Sequence, residues 1–255
     1  MSETPRLSPS VANTLLNRSP LHAWHYHRLL GGAQREATAS MEDGSVLHHL
    51  MLANSNPDGI VIVDASDWRT KAAREARDAA RLADKTPVLA NQHAELVASA
   101  KVIAGRIVKL GLDPTGWDTE KRFEWEADGV LCSGVVDAIS GVSYEMKSTD
   151  DAHPLACRRS IEKYGYHVQA AAYREAAGLP VHFIFVEPEA PYDVTLINDI
   201  AELVEIGDRR WSRAKRTWKR CLAADEWPGA GGGKANRITA SEYALSKDRE
   251  DAENE

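Results

Sequence analysis

From Thr119 onward the period of the sequence changes, and that change constrains the fold more than any other feature. Earlier segments repeat their apolar residues at helical spacing. Across 119–127, 130–139 and 142–149 the residues alternate, as on strands with one face buried. Asp128-Gly129 and Ser140-Gly141 separate the three runs, which predicts an antiparallel three-stranded meander.

A sheet needs cover, and the flanking segments supply helices. Ser8-Pro9 and Ser19-Pro20 predict helices over 9–17 and 20–30: serine caps the free amides, and proline stands where no intrahelical N–H is needed. Gly31-Gly32 break the second helix, a polar segment runs to Ser40, and a short apolar helix is expected from Gly44 to Ala53. β-Branched density predicts a strand over 59–64. Helices over 67–83 and 87–110, turning at Lys85-Thr86, are expected to pair as an antiparallel hairpin. Beyond the meander the pattern predicts helices over 153–163 and 165–177, strands over 181–187 and 192–197, and a helix over 198–222. No glycine-rich phosphate loop follows a strand, so a Rossmann unit is excluded. The expected fold class is mixed α/β (α+β). It comprises one domain over 1–228, with a flexible Gly-rich linker and a loosely ordered acidic tail over 229–255.

Charge narrows the function. Lys and Arg number 31 against 38 Asp and Glu, a net charge of −7, which argues against a passive nucleic-acid coat. It leaves room for an enzyme that grips DNA through a local basic patch, or whose acids hold metal. Nothing approaches the length of a membrane helix, and the first residues lack a cationic-then-apolar signal pattern. Cys132, Cys157 and Cys221 fit neither a disulfide framework nor a zinc site, so a cytoplasmic setting is expected.

The densest chemistry lies in the meander. Glu145 and Lys147 share one face of their strand by period two. Asp137 lies eight residues before Glu145, so the intervening loop decides whether it joins them. A two-residue loop pairs Asp137 with Tyr144; a three-residue loop sets it opposite Glu145, with Cβ atoms about 5 Å apart, and this second register is the prediction. Carboxylates that close repel unless a cation lies between them or one is protonated. A divalent metal removes the conflict, and Lys147 can then polarise a water or steady charge on a phosphate. On an exposed hairpin the same three residues would do nothing. The apolar flanks, Gly129 to Val136 and Ile139, instead indicate an interior strand, where charges need a reason. Two weaker signals accompany this one. Gln169 and Tyr173 are i, i+4 on an alanine-rich helix, and His48 sits in an apolar helix.

Taken in order, these features resemble the PD-(D/E)xK nuclease superfamily, and within it the RecE-type exodeoxyribonuclease VIII group of phages and prophages. The resemblance rests on the Leu7-Ser8 and Ser19-Pro20 helices, Gly44-xxx-His48, Asp67-Trp68-Arg69-Thr70, and Thr86-Pro87-Val88-Leu89. Asp137, Glu145-x-Lys147-Ser148-Thr149 and Tyr164-x-Tyr166-x-x-Gln169-x-x-x-Tyr173 complete it, covering about residues 7 to 228. It implies a restriction-endonuclease-like core: a mixed central sheet with helices on its faces, an N-terminal helical region and a helical hairpin. By the same resemblance His48, Asp137 and Glu145 bind the metal with the backbone carbonyl of Met146, Lys147 assists the attacking water, and Gln169 and Tyr173 buttress Lys147 and the scissile phosphate. Magnesium is the implied ion, with manganese as a substitute.

Family members process linear double-stranded DNA from its ends, 5′ to 3′, and hand the exposed strand to a single-strand annealing protein. Several form ring-like homo-oligomers. An endonuclease or single-strand-specific nuclease on the same fold is the nearest rival, and a non-catalytic DNA-binding or assembly protein the next. Arg18, Arg35 and Ser40 are the candidates for a 5′-phosphate pocket. Within the basic segment 208–220, Trp211 and Trp218 read as anchors to the core, while its Lys and Arg residues remain open between a solvated face and a DNA strip. Arg158, Arg159 and Lys163 are better placed to meet a phosphate backbone.

Overall fold

The computed structural model describes residues 4–33, 38–52 and 59–253. Three helices come first, α1 (Pro9–Asn17), α2 (Pro20–Tyr26) and α3 (Ala39–Met51), capped by the side chains of Ser8, Ser19 and Thr38. Helix α2 stops short of the expected residue 30 because the chain doubles back. The Gly31 amide donates to the Trp24 carbonyl, and a Cβ at Gly31 would lie 2.6 Å from the His25 backbone.

The expected helical hairpin is replaced by a strand–helix–strand unit. Strand β1 (Ile60–Val63) leads through α4 (Lys71–Leu82) to β2 (Thr86–Leu89), which pairs with β1 in parallel, and α5 (Ala90–Lys109) follows at once. Residues 87–89 are therefore strand rather than the first turn of a helix. Val88 and Leu89 are buried there, in register with Ile62 and Val63 of β1. Parallel pairing requires a crossover, and α4 supplies it.

The central sheet has five strands in the order β3 (Asp118–Ala127), β4 (Val130–Ser140), β5 (Val142–Ser148), β6 (Val181–Val186) and β7 (Val194–Ile197). The first three form the predicted meander. Strands β5 and β6 run parallel, joined through α6 (Pro154–Tyr164) and α7 (Tyr166–Ala177), and β7 closes the sheet antiparallel. Helix α8 (Ala201–Ala224) covers α7, and an exposed helix, α9 (Glu242–Glu253), occupies the tail. The mixed sheet flanked by helices matches the expected fold class.

Two apolar layers sandwich the sheet. On one side Tyr144, Met146, Ile184 and Val186 pack with Val46, Leu47, Ile103 and Ile107 of α3 and α5. On the other, Phe183, Phe185 and Val136 pack with Cys157, Ile161 and Ala170 of α6 and α7. Trp211 and Trp218 are 2% and 0% exposed in a third cluster with α1 and α7, so they are core anchors. Arg209, Arg213, Arg216, Lys219 and Arg220 of α8 are exposed. Among the described residues no helix is long and apolar enough to cross a membrane.

Candidate active site

The sheet splits at Asp137, and the split makes the site. The β4–β5 ladder pairs Ser140 with Val142, Ile139 with Ser143 and Ala138 with Tyr144, and goes no further. The same count sets Asp137 opposite Glu145, the register expected of a three-residue loop. Val136 joins the α6/α7 layer while Ala138 joins the α3/α5 layer, so the alternation of β4 breaks between them. Below the break Leu7 takes the place that β5 has vacated. Its amide donates to the Leu131 carbonyl and its carbonyl accepts from the Ser133 amide, which brings the start of α1 to the opening.

Strand β3 adds a residue that the sequence reading did not include. Its ladder pairs Thr119 with Ala138 and Lys121 with Val136, which places Glu120 across from Asp137. Glu120 has φ of 54°, a left-handed conformation costing a non-glycine residue on the order of 1–3 kcal/mol. Counting back from the Asp128-Gly129 turn, both of whose residues have positive φ, was the available signal. Glu120, Asp137 and Glu145 thus form an acidic row across three neighbouring strands.

Helix α3 delivers His48 to one end of that row. Its Nε2 lies 3.1 Å from Asp137 Oδ2 and its Nδ1 3.6 Å from Glu120 Oε1. Ligand atoms of His48, Glu120 and Asp137 all lie within 4.8 Å of one another. One imidazole and two carboxylates suit an oxygen-preferring divalent cation such as magnesium or manganese. Glu145 stands at the other end and is fully buried. Its Oε2 accepts from Lys147 Nζ at 2.9 Å and Gln169 Nε2 at 2.7 Å, and its Oε1 from the Asp137 amide at 3.3 Å. The Met146 amide donates to Asp137 Oδ2 at 2.8 Å. Gln169 also reaches the Tyr173 hydroxyl at 3.4 Å, and the Tyr173 ring lies against Gly134, where a Cβ would come within 2.6 Å of it. Helix α7 therefore meets the sheet through a bare glycine, which lets Gln169 reach Glu145.

The electrostatics match this crowding. Burial and the charge of Asp137 push the Glu145 carboxyl up to about 7, against the pull of Lys147. For Asp137, burial works the same way, but Lys147 and His48 overcome it and hold the carboxyl below its usual value. Burial opposes charge on His48, yet Asp137 and Glu120 raise it above the ordinary imidazole value. Lys147, resisted by burial, is kept charged by Glu145 and Asp137.

All seven residues expected at the site come together here: His48, Asp137, Glu145, Met146, Lys147, Gln169 and Tyr173. Glu145 is drawn toward Lys147 and Gln169, and Glu120 stands nearer the imidazole. Of the candidates for a 5′-phosphate pocket, Arg18 rests over the Tyr26 ring at 5.9 Å. Arg35 and the side chain of Ser40 lie outside the described residues.

Comparisons with known proteins bear on the family and the fold. A search of curated proteins found no match. Among solved structures, the "putative exonuclease" of Eubacterium rectale superposes with a TM-score of 0.56 at 12% identity, covering 95% of this chain and 93% of its own. A phage-related exonuclease from Haemophilus somnus 129PT is 16% identical over 71% of this chain and 95% of its own, with a TM-score of 0.36. Residues 15–240 match the family model described as "PDDEXK-like domain of unknown function (DUF3799)". A split sheet bearing Asp137, Glu145 and Lys147, with that match over most of the sequence, makes this chain a member of the PDDEXK-like family.

Proposed function

We propose that this protein is a metal-dependent exodeoxyribonuclease that hydrolyses linear double-stranded DNA, 5′ to 3′, and leaves single-stranded overhangs for recombination by annealing. The observation that carries this reading is the convergence of His48, Glu120 and Asp137 beside the buried Glu145 and its partly buried partner Lys147. His48, Glu120 and Asp137 would hold magnesium or manganese, and by the resemblance Glu145 and the Met146 carbonyl would complete the set. The ion, when bound, supplies Lewis-acid stabilisation of the phosphate and a water of lowered pKa.

The protein's own groups do the rest. Lys147 remains protonated at neutral pH and donates to the phosphate oxygen on which charge develops. Gln169 and Tyr173 fix the Glu145 carboxylate, and through it Lys147, so that the ammonium does not swing away. Lys147 Nζ also lies 5.0 Å from the Tyr166 ring centroid, which restricts it from the opposite side.

The family match and the exonuclease names of the structural relatives support a nuclease. Polarity, the annealing partner and a homo-oligomeric ring rest on the resemblance to RecE-type enzymes. End-labelled linear, nicked and circular duplexes, incubated with magnesium or manganese, test the reading. Release of label from linear 5′ ends alone is the expected result. Cutting of circles would instead identify an endonuclease. DNA binding without cleavage would identify a binding or assembly protein.

A further inference from the structure

Resting on that nuclease reading, we infer that α6 carries a track for one DNA strand, with Tyr164 as a base-stacking platform beside the site and Lys163 and Arg159 as its phosphate contacts. Gly165, with φ of 71°, joins α6 directly to α7, so the last residue of one helix and the first of the next bring their rings together. The Tyr164 and Tyr166 ring centroids are 5.7 Å apart. Tyr166 in turn holds Lys147 Nζ at 5.0 Å, and Lys163 Nζ lies 5.0 Å from the Tyr164 ring. A continuous cationic and aromatic path therefore leads from the reacting centre to the surface. Its outer ring is open to solvent: Tyr164 is 51% exposed, whereas Tyr166 is partly buried.

The path opens into a cleft of about 1100 Å³ between α6, α3 and α5, with Ser148 and Thr149 in its lining. Arg159 and Lys163 lie one helical turn apart on α6 and both line the cleft; neither has an ion pair among the described residues. Carboxylates line the rest of the cleft: Asp43, Glu95 and Glu189 away from α6, with Asp150 and Asp151 in the segment that leads into it. That asymmetry selects the occupant. A duplex would press its second phosphate backbone against carboxylates, whereas a single strand can lay its phosphates on α6 and its bases on the tyrosines. Stacking on an aromatic ring tolerates any base, which suits a strand drawn past without regard to sequence.

Fluorescence anisotropy of the full chain in EDTA, with a fluorescein-labelled oligothymidylate and a blunt duplex of equal length, tests the track without cleavage. Tyr164→Ala should weaken oligothymidylate binding by about tenfold and leave duplex binding unchanged, while Tyr164→Phe should bind like the parent. Lys163→Gln with Arg159→Gln should flatten the salt dependence of single-strand binding by about 0.7 log unit per removed contact. Unchanged affinity in Tyr164→Ala, or an equal loss for duplex, overturns the inference. Failure of the nuclease reading is seen separately, as a parent protein that cleaves no DNA with either metal.

Discussion

Two lysines, Lys215 buried and Lys147 partly buried, sit among carboxylates in this protein, and their surroundings differ in charge balance. Lys215 of α8, 3% exposed, contacts Glu175 Oε2 at 2.6 Å and Asp128 Oδ2 at 2.7 Å, while Glu175 Oε1 accepts from the indoles of Trp125 and Trp211. Despite burial, those donors hold the Glu175 carboxyl below its usual value, and Lys215, helped by Lys219 and Arg216, does the same for Asp128, so both carboxylates are compensated. Around Lys147 the count is uneven. Glu120, Asp137 and Glu145 share one lysine and one histidine, and Glu145 is driven the opposite way, up to about 7. A cluster that balances itself fastens helices to a sheet. One left with surplus negative charge is prepared for a cation from outside.

The largest expected effect tests the uneven site. Lys147→Ala should bind DNA yet cleave it about 10²–10³-fold more slowly, measured as single-turnover release of label. Lys215→Ala should do the reverse. Its cleavage rate persists, while stability falls by about 2–3 kcal/mol, a discount on a fully buried pair because Asp128 is exposed. Thermal unfolding should show that loss as a Tm lower by roughly 5–10 °C. Equal cleavage defects in both variants would erase the contrast.

Glu120→Gln comes next. Manganese affinity, read by electron paramagnetic resonance, should fall about 10–100-fold with the Tm of the metal-free protein little changed. Parent-like manganese affinity would remove Glu120 from the metal set. Gly134→Ala must displace the Tyr173 ring, and should cost about 1–3 kcal/mol of stability together with part of the cleavage rate. Gly207→Ala would set its Cβ 2.1 Å from the His167 carbonyl oxygen, at the α7–α8 contact, and should lower Tm without altering the metal affinity.

The smallest effect is in pH. The Glu145 and His48 values are both raised on folding, so their stabilising contribution is present in full below the unfolded values and is lost as pH climbs through the folded ones. The metal-free protein should therefore lose a few degrees of Tm between about pH 5 and 7, and saturating magnesium should remove that slope. Manganese affinity should rise over the same range as Glu145 sheds its proton, and go on rising above it as His48 does. A flat profile for both quantities would mean that Glu145 does not change charge there.

Much of this could be read from residue order, because the relevant signals are local. Asp128-Gly129 and Gly141 end strands of period two, and the position of Asp137 opposite Glu145 follows from counting through those turns. Glu120 is reached by the same count through the first turn, applied one strand further out. Strand β2 was hidden because four residues running straight into a helix carry too short a period to separate strand from helix, and its partner lies 26 residues earlier.

By itself, then, the sequence determined the meander, its register, and which carboxylates and lysine share it, since alternation and turn chemistry act over a few residues. Only the tertiary structure decided that β4 parts from β5 at Asp137, that α3 brings His48 within 3.1 Å of it, and that Gln169 takes up one oxygen of Glu145. Those contacts join residues 24 to 89 positions apart. Their distances depend on how helices seat against a sheet, which no local pattern encodes.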